Sequence, residues 1–200
     1  MITTNIIQRV LFVGYKGKIG TSFTIEKNNR QYLISAKHIF HNINDSDEIE
    51  IYNDNLWKKI SIKTHFCKDK DVDIIAFSFE KNESITPRYD IDLGLGGTMI
   101  GQDAYFLGFP YGLLTDSGEI NNKYPFAFVK KCIISAVDKH LIYLDGHNNR
   151  GFSGGPLVIA DNNKIKIIGV VSGFIGDNVN KDENSGIFYA NNISLITDNL

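Results

Sequence analysis

The sequence predicts an all-β protein built as two barrels, and three observations lead there. Short runs rich in Ile, Val, Phe and Tyr recur along the whole chain, separated by Gly, Asn and Asp. Such residues suit a pleated, half-buried surface. No long amphipathic helix intervenes between the runs. The stretch at residues 80–97, "EKNESITPRYDIDLGLGG", breaks the pattern with Pro87, Gly94, Gly96 and Gly97. It leaves a similar number of strand-like runs on each side. The implied organisation is an N-terminal barrel at 1–85, a linker at 86–98, a C-terminal barrel at 99–190 and a helix at 191–200.

Taken in order, the first half offers "TSFTI", "QYLIS", "EIEIY", "KKISIKT" and "DIIAFSF". "KISIK" alternates with the period of a strand that has one wet face. "EKNNRQ" joins two of these runs and reads as a hairpin turn, because Asn tolerates left-handed backbone angles. "AKHIFHNI" has room for one short helical turn. The second half offers "DAYFLGF", "FAFVKKCII", "HLIYL", "GPLVI" and "IKIIGVVSGF", with "ADNNKIK" as a second hairpin turn. The closing "NNISLITDNL" reads as a short helix capped by Asn192.

Composition narrows the class. Apolar residues make up 42% and charged residues 22%, as in ordinary globular chains. A formal net charge of -2 gives no electrostatic case for nucleic acid or an anionic membrane as partner. The pairs Lys58-Lys59 and Lys130-Lys131 read as solvated strand faces. Cys67 and Cys132 are far apart and form no CxxC unit, so neither zinc nor a dithiol redox site is suggested. Two unclustered cysteines fit a reducing compartment. Arg9 interrupts the apolar stretch near the N-terminus, which lacks the pattern of a signal peptide, and no apolar run is long enough to span a bilayer. The expected location is cytoplasmic, with no cofactor and no metal.

One segment concentrates chemistry. "GHNNRGFSGGPLV", residues 146–158, places Ser153 among glycines. Glycine is used where the chain takes angles a side chain forbids, or where something comes very close. A serine hydroxyl is a weak nucleophile alone and needs a base, which in turn needs an orienting acid. His38, at the end of the run "QYLISAKHIF", is the candidate base. His38 and His41 also make an HxxH pair, but no acidic or cysteine ligand accompanies it. Asp73 opens an apolar strand, where a carboxylate is held partly buried. It is preferred as the acid over Asp71, which lies in a charged turn.

These segments together resemble the chymotrypsin-like (trypsin-like) serine peptidases of bacterial type. "GFSGGPLV" resembles their nucleophile segment, "ISAKHIF" their histidine segment and "DVDIIAF" their aspartate segment. "GQDAYFLGFPYG" is similar to the start of their second barrel, and "GVVSGF" to the strand lining their cleft. "SGIFYANNISLI" is similar to the closing strand and helix of the high-temperature-requirement peptidases. The order His, Asp, Ser is that of the chymotrypsin arrangement.

The resemblance implies two antiparallel six-stranded barrels with a short C-terminal helix. It also implies hydrolysis of peptide bonds through an acyl-enzyme. His38 would be base and then acid, Asp73 would fix its tautomer, and Ser153 would be the nucleophile. The N–H groups of Gly151 and Ser153 would form the oxyanion hole. His147, Ser172, Gly173 and Phe174 would build the pocket for the residue before the scissile bond. With His147 where trypsin-like members carry an acid, small or medium apolar residues are expected there and Lys or Arg are not; the alternative is a polar side chain accepted by a neutral His147. Phe152 stands where digestive members carry an aspartate that receives a cleaved N-terminus, so that activation route is not expected. The partner is a protein or peptide substrate, with a regulatory or recruiting protein as a further expectation. Two alternatives remain open: a protease subunit active only in a larger assembly, and a non-catalytic protein-binding module on the same fold.

Overall fold

The computed structural model describes residues 2–79, 84–161, 164–176 and 184–200. After a single helical turn, α1 (Thr4–Ile7), six strands follow: β1 (Val10–Tyr15), β2 (Lys18–Lys27), β3 (Arg30–Ser35), β4 (Glu48–Asn53), β5 (Leu56–Phe66) and β6 (Ile75–Phe79). They close into a barrel in the order β1-β2-β3-β6-β5-β4. A two-residue strand, β7 (Asp92–Leu93), lies in the linker. The second half supplies β8 (Asp103–Gly108), β9 (Phe128–Val137), β10 (Leu141–Asp145), β11 (Pro156–Asp161), β12 (Lys164–Gly176) and β13 (Asn184–Asn192). Their order is β11-β8-β9-β10-β13-β12, and pairing of β12 with β11 closes a second barrel. β7 adds to β12 in parallel on the outside. The helix expected at 191–200 is only the single turn α2 (Ser194–Thr197), and its N-cap is Ile193, not Asn192: Asn192 still ends β13, and its carboxamide accepts the Ser194 N–H at 3.0 Å.

Local chemistry explains the hairpins. Asn28 and Asn29 have φ of 52° and 59°, and the flanking Lys27 and Arg30 pair. Two left-handed residues match the twist of the strands they join, so this is a two-residue type I′ connection. Lys16-Gly17 and Asp54-Asn55 do the same between β1–β2 and β4–β5. The turn expected at "ADNNKIK" falls partly on residues 162–163, outside the described residues.

Each barrel has its own core. Leu11, Leu33, Phe40, Ile49, Ile75 and Phe77 fill the first. Phe106, Phe152, Leu157, Ile168, Val171 and Phe188 fill the second. A third cluster joins Phe12, Phe23 and Ile25 of the first barrel to Leu107, Phe109, Val158 and Val170 of the second. Arg9, which breaks the N-terminal apolar run, is buried. Its guanidinium is satisfied by Glu26 (2.5 Å), Asn5 (2.7 Å) and the carbonyls of Thr24 and Tyr89. That set ties the start of β1 to β2 and to the linker. Among the described residues no helix is long and apolar enough to cross a membrane.

Candidate active site

Strand register brings His38 and Asp73 together. In the β3–β6 pairing Ser35 faces Ile75, so residues just beyond Ser35 face those just before Ile75. The chain leaves β3 through Ala36, fully buried, and makes one 3₁₀ turn at Lys37–Phe40. Ile39 and Phe40 are buried in that turn while His38 faces outward. Asp73 then holds His38 twice. One carboxylate oxygen accepts the His38 backbone N–H at 2.8 Å, and the other lies 2.7 Å from Nδ1. This contact assigns the proton to Nδ1 and leaves Nε2 as the acceptor. The Ser172 hydroxyl also donates to the Asp73 carboxylate. Burial alone would raise the Asp73 pKa, but the hydrogen bonds from His38 and Ser172, with the attraction of the ring when it is protonated, outweigh it and hold the carboxyl below its ordinary value.

The loop carrying Ser153 is fixed by backbone. Gly151 has φ +101° and Gly154 has φ +84°, a region that favours glycine. A Cβ at Gly154 would lie 2.0 Å from the Thr21 carbonyl, so the first barrel's β2 packs directly on this loop. Thr21 binds it twice: its N–H donates to the Ser153 carbonyl (2.9 Å) and its hydroxyl to the Gly151 carbonyl (2.6 Å). Tyr111 donates its N–H to the Arg150 carbonyl at 2.7 Å. Because the peptide is trans, the Gly151 N–H faces the opposite way. Among the described residues, neither the Gly151 nor the Ser153 N–H has a protein acceptor. Phe152 is fully buried, 4.9 Å from Phe106 in edge-to-face contact.

His38, Asp73, Ser153, Ser172, Gly173 and Phe174 line one cavity of about 690 Å³, together with Asn148, Asn149, Arg150 and Asp71. In this arrangement the Ser153 hydroxyl donates to the Ser172 carbonyl at 2.9 Å, and not to His38. His147 is exposed and is not among the lining residues; its carbonyl accepts from Lys130. The neighbouring Asn148 lines the cavity instead. Asp71 is exposed at the rim, its N–H bound to Asp69. His65 bonds Ser78, 2.9 Å, and His140 lies 3.8 Å from Asp69, so both are engaged away from the cavity. No three His, Cys, Asp or Glu side chains cluster as metal ligands among the described residues. Sequence reasoning missed Thr21, which sits in an ordinary strand run, and Asn191, which the sequence assigns to the closing helix and the structure places in β13. Tyr111 carries one signal, the Pro110-Tyr111-Gly112 turn.

No protein-family profile matches the chain, and no curated protein is similar to it in sequence. Solved structures do match in three dimensions. The Rv3671c protease of Mycobacterium tuberculosis H37Rv, in its inactive form, is 15% identical over 97% of this chain and 88% of that one, with a TM-score of 0.64. The serine endoprotease of Yersinia pestis is 21% identical over 96% of this chain and 61% of that one, TM-score 0.65. The HtrA-type protease AlgW, solved with a tripeptide, is 19% identical over 96% of this chain and 58% of that one, TM-score 0.65. This chain therefore spans less than two thirds of the latter two. The chain has the fold of the bacterial trypsin-like serine proteases.

Proposed function

We propose that the chain is a serine endopeptidase. The observation that carries this is the double grip of Asp73 on His38, at the same cavity as Ser153. Ser153 turns its hydroxyl from the Ser172 carbonyl to His38 Nε2, which takes the proton as Oγ attacks the scissile carbonyl. The unpaired N–H groups of Gly151 and Ser153 receive the oxyanion, each typically worth about 2.7–4 kcal/mol in such sites. His38 then passes the proton to the leaving amine. Water, deprotonated by His38, hydrolyses the acyl-enzyme.

The test is labelling by a serine-reactive fluorophosphonate, with cleavage of a protein substrate measured alongside. Labelling at Ser153 and loss of both signals in Ser153→Ala are expected. No labelling of a folded chain would favour a binding module. A subunit that works only in a larger assembly is the second reading, favoured by the Ser153 hydroxyl resting on the Ser172 carbonyl. It requires slow labelling of the isolated chain that accelerates when a partner is added.

A further inference from the structure

A second cavity, also of about 690 Å³, meets the first at Ser153. The two share His38, Arg150 and Ser153 and are otherwise walled by different residues. Ile19, Ile39 and Tyr111 supply the apolar lining of the second. Its shape is fixed by the Pro110–Gly112 turn. The Tyr111 hydroxyl accepts from Asn149 Nδ2 at 3.1 Å, and the Tyr111 N–H is tied to the Arg150 carbonyl. Gly112, at φ +73°, lets the turn close on β2: a Cβ there would lie 3.1 Å from Ile19 Cδ1. Charge separates the two cavities. Asp71 and Asp73 line the first, whereas Lys18 and Arg150 line the second and no carboxylate does. Lys18 Nζ donates to the His38 carbonyl at 3.3 Å, which sets the ammonium against the turn that carries His38. That uses one of its three N–H donors. Neither Lys18 nor the Arg150 guanidinium has an acidic partner among the described residues.

We propose that this second cavity receives an acidic side chain, Asp or Glu, from the first two substrate residues after the scissile bond. The direction follows from the proton. The leaving amine takes its proton from His38, so the leaving half departs beside the His38 turn, where Ile39 and Lys18 wall the second cavity. The acyl half stays on Ser153 against the Ser172–Phe174 segment, which walls the first. A carboxylate in the second cavity accepts from the Lys18 ammonium and, by two parallel bonds, from the Arg150 guanidinium. Its methylene stem lies on Ile19 and Tyr111. A substrate Lys or Arg meets like charge there. Gln fills the same space but gains no charge pairing. Both cations are exposed, so the advantage of an acid is a few-fold and is screened by salt.

This proposal rests on the endopeptidase reading, and binding is measured apart from cleavage so that the two fail separately. Peptides of one sequence carry Glu, Gln or Lys at each of the two residues after the scissile bond and, as a control, at the residue before it. Cleavage by the wild type and binding to Ser153→Ala are measured at low and high salt. After the scissile bond, Glu is expected to exceed Gln about fivefold in kcat/KM and in affinity at low salt. Most of that advantage should vanish at about 1 M salt, where the screening length is a few ångströms. Combining Lys18→Met with Arg150→Met should level Glu and Gln, and combining Lys18→Glu with Arg150→Glu should favour the Lys peptide. Equal affinity of Glu and Gln peptides for Ser153→Ala overturns the proposal. So does a Glu advantage confined to the residue before the scissile bond, or one that survives high salt. A salt-sensitive Glu advantage in binding that the two Met substitutions remove keeps the acidic site even if fluorophosphonate never labels Ser153, and then the endopeptidase reading alone fails.

Discussion

The two barrels serve the cavity by different means. The first presents side chains: His38 and Asp73 meet through two direct bonds, and His38 is half exposed, with its 3₁₀ turn held by Ile39 and Phe40 beneath. The second presents backbone: Gly151, Phe152 and Gly154 shape the loop, and its carbonyls are tied to Thr21 and Tyr111. A polar pair tolerates a change of shape but not of chemistry. A loop threaded between backbone atoms tolerates the reverse. Substitutions chosen on each side should separate loss of rate from loss of stability.

The largest effect on rate belongs to the first barrel. Asp73→Asn keeps the size of the side chain but favours the wrong imidazole tautomer. A loss of about 10⁴ in kcat is expected, as in the general triad case. Asp71→Asn at the exposed rim should change kcat only slightly. Steady-state cleavage of one peptide by both variants decides between the acids, and a larger loss in Asp71→Asn would reverse the assignment. Stability gives a second reading. The Asp73 pKa is lowered in the fold, so its contribution is full above the unfolded value and is lost as pH falls through the lower folded value. Denaturant unfolding below about pH 4 should therefore weaken the wild type more steeply than Asp73→Asn.

The largest effect on stability belongs to the second barrel. Gly154→Ala puts a methyl 2.0 Å from the Thr21 carbonyl and 2.3 Å from Ser35 Oγ, at φ +84°. Gly17→Ala has nearly the same φ, +81°, with nothing within 4 Å. The difference between the two isolates crowding from backbone strain. Gly17→Ala should cost about 1 kcal/mol, within the range for a strained left-handed residue. Gly154→Ala should exceed it by a further ~1–3 kcal/mol of overpacking, or fail to fold. Equal melting temperatures would mean that the contact with β2 relaxes freely.

These two sides also differ in how much the sequence reveals. The His38, Asp73 and Ser153 segments are local, each a few residues whose types announce their chemistry, and strand register brings the first two together. The two-barrel division is legible because residues 80–97 interrupt the strand pattern. Thr21 was not legible. It is one β-branched residue in a run of them, and its role arises only when β2 meets a loop 130 residues away. Asn148 looks like a loop residue and Asn191 like the start of a helix, and their unpaired buried atoms appear only once burial is known. His147 is the pocket-floor residue by resemblance, yet the cavity is lined by the side chain next to it, Asn148.

Thr21 joins the barrels and so tests whether the contrast between them is strict. Its hydroxyl donates to Gly151 O (2.6 Å) and accepts the Phe109 N–H (3.2 Å). Thr21→Val keeps the shape and leaves both groups unpaired, costing about 1–3 kcal/mol in stability. It should also lower kcat more than it raises KM, since the Gly151 peptide shapes the proposed oxyanion hole. Thr21→Ser should restore kcat. If Thr21→Val lowers stability with kcat intact, the loop holds its geometry without the first barrel.

The smallest effect uses one native cysteine in each barrel. Cys67 follows β5 and Cys132 lies inside β9; both are buried and free. Burial raises the Cys67 thiol pKa to about 11 and that of Cys132 to about 12. Only the thiolate reacts, so burial protects both thiols while the fold is closed, and access decides their order. Position sets that access. Cys67 sits past the end of its strand and is freed by local fraying, whereas Cys132 pairs with Ala104 in mid-strand and needs the second barrel to open. Alkylation of the native chain, followed by mass spectrometry, should find Cys67 modified first and Cys132 protected until denaturant is added. Faster labelling of Cys132 would mean that the barrel carrying Ser153 opens more readily than the one carrying His38. The stiffness assigned to its glycine loop would then stop at the loop and not extend to the strands beneath it.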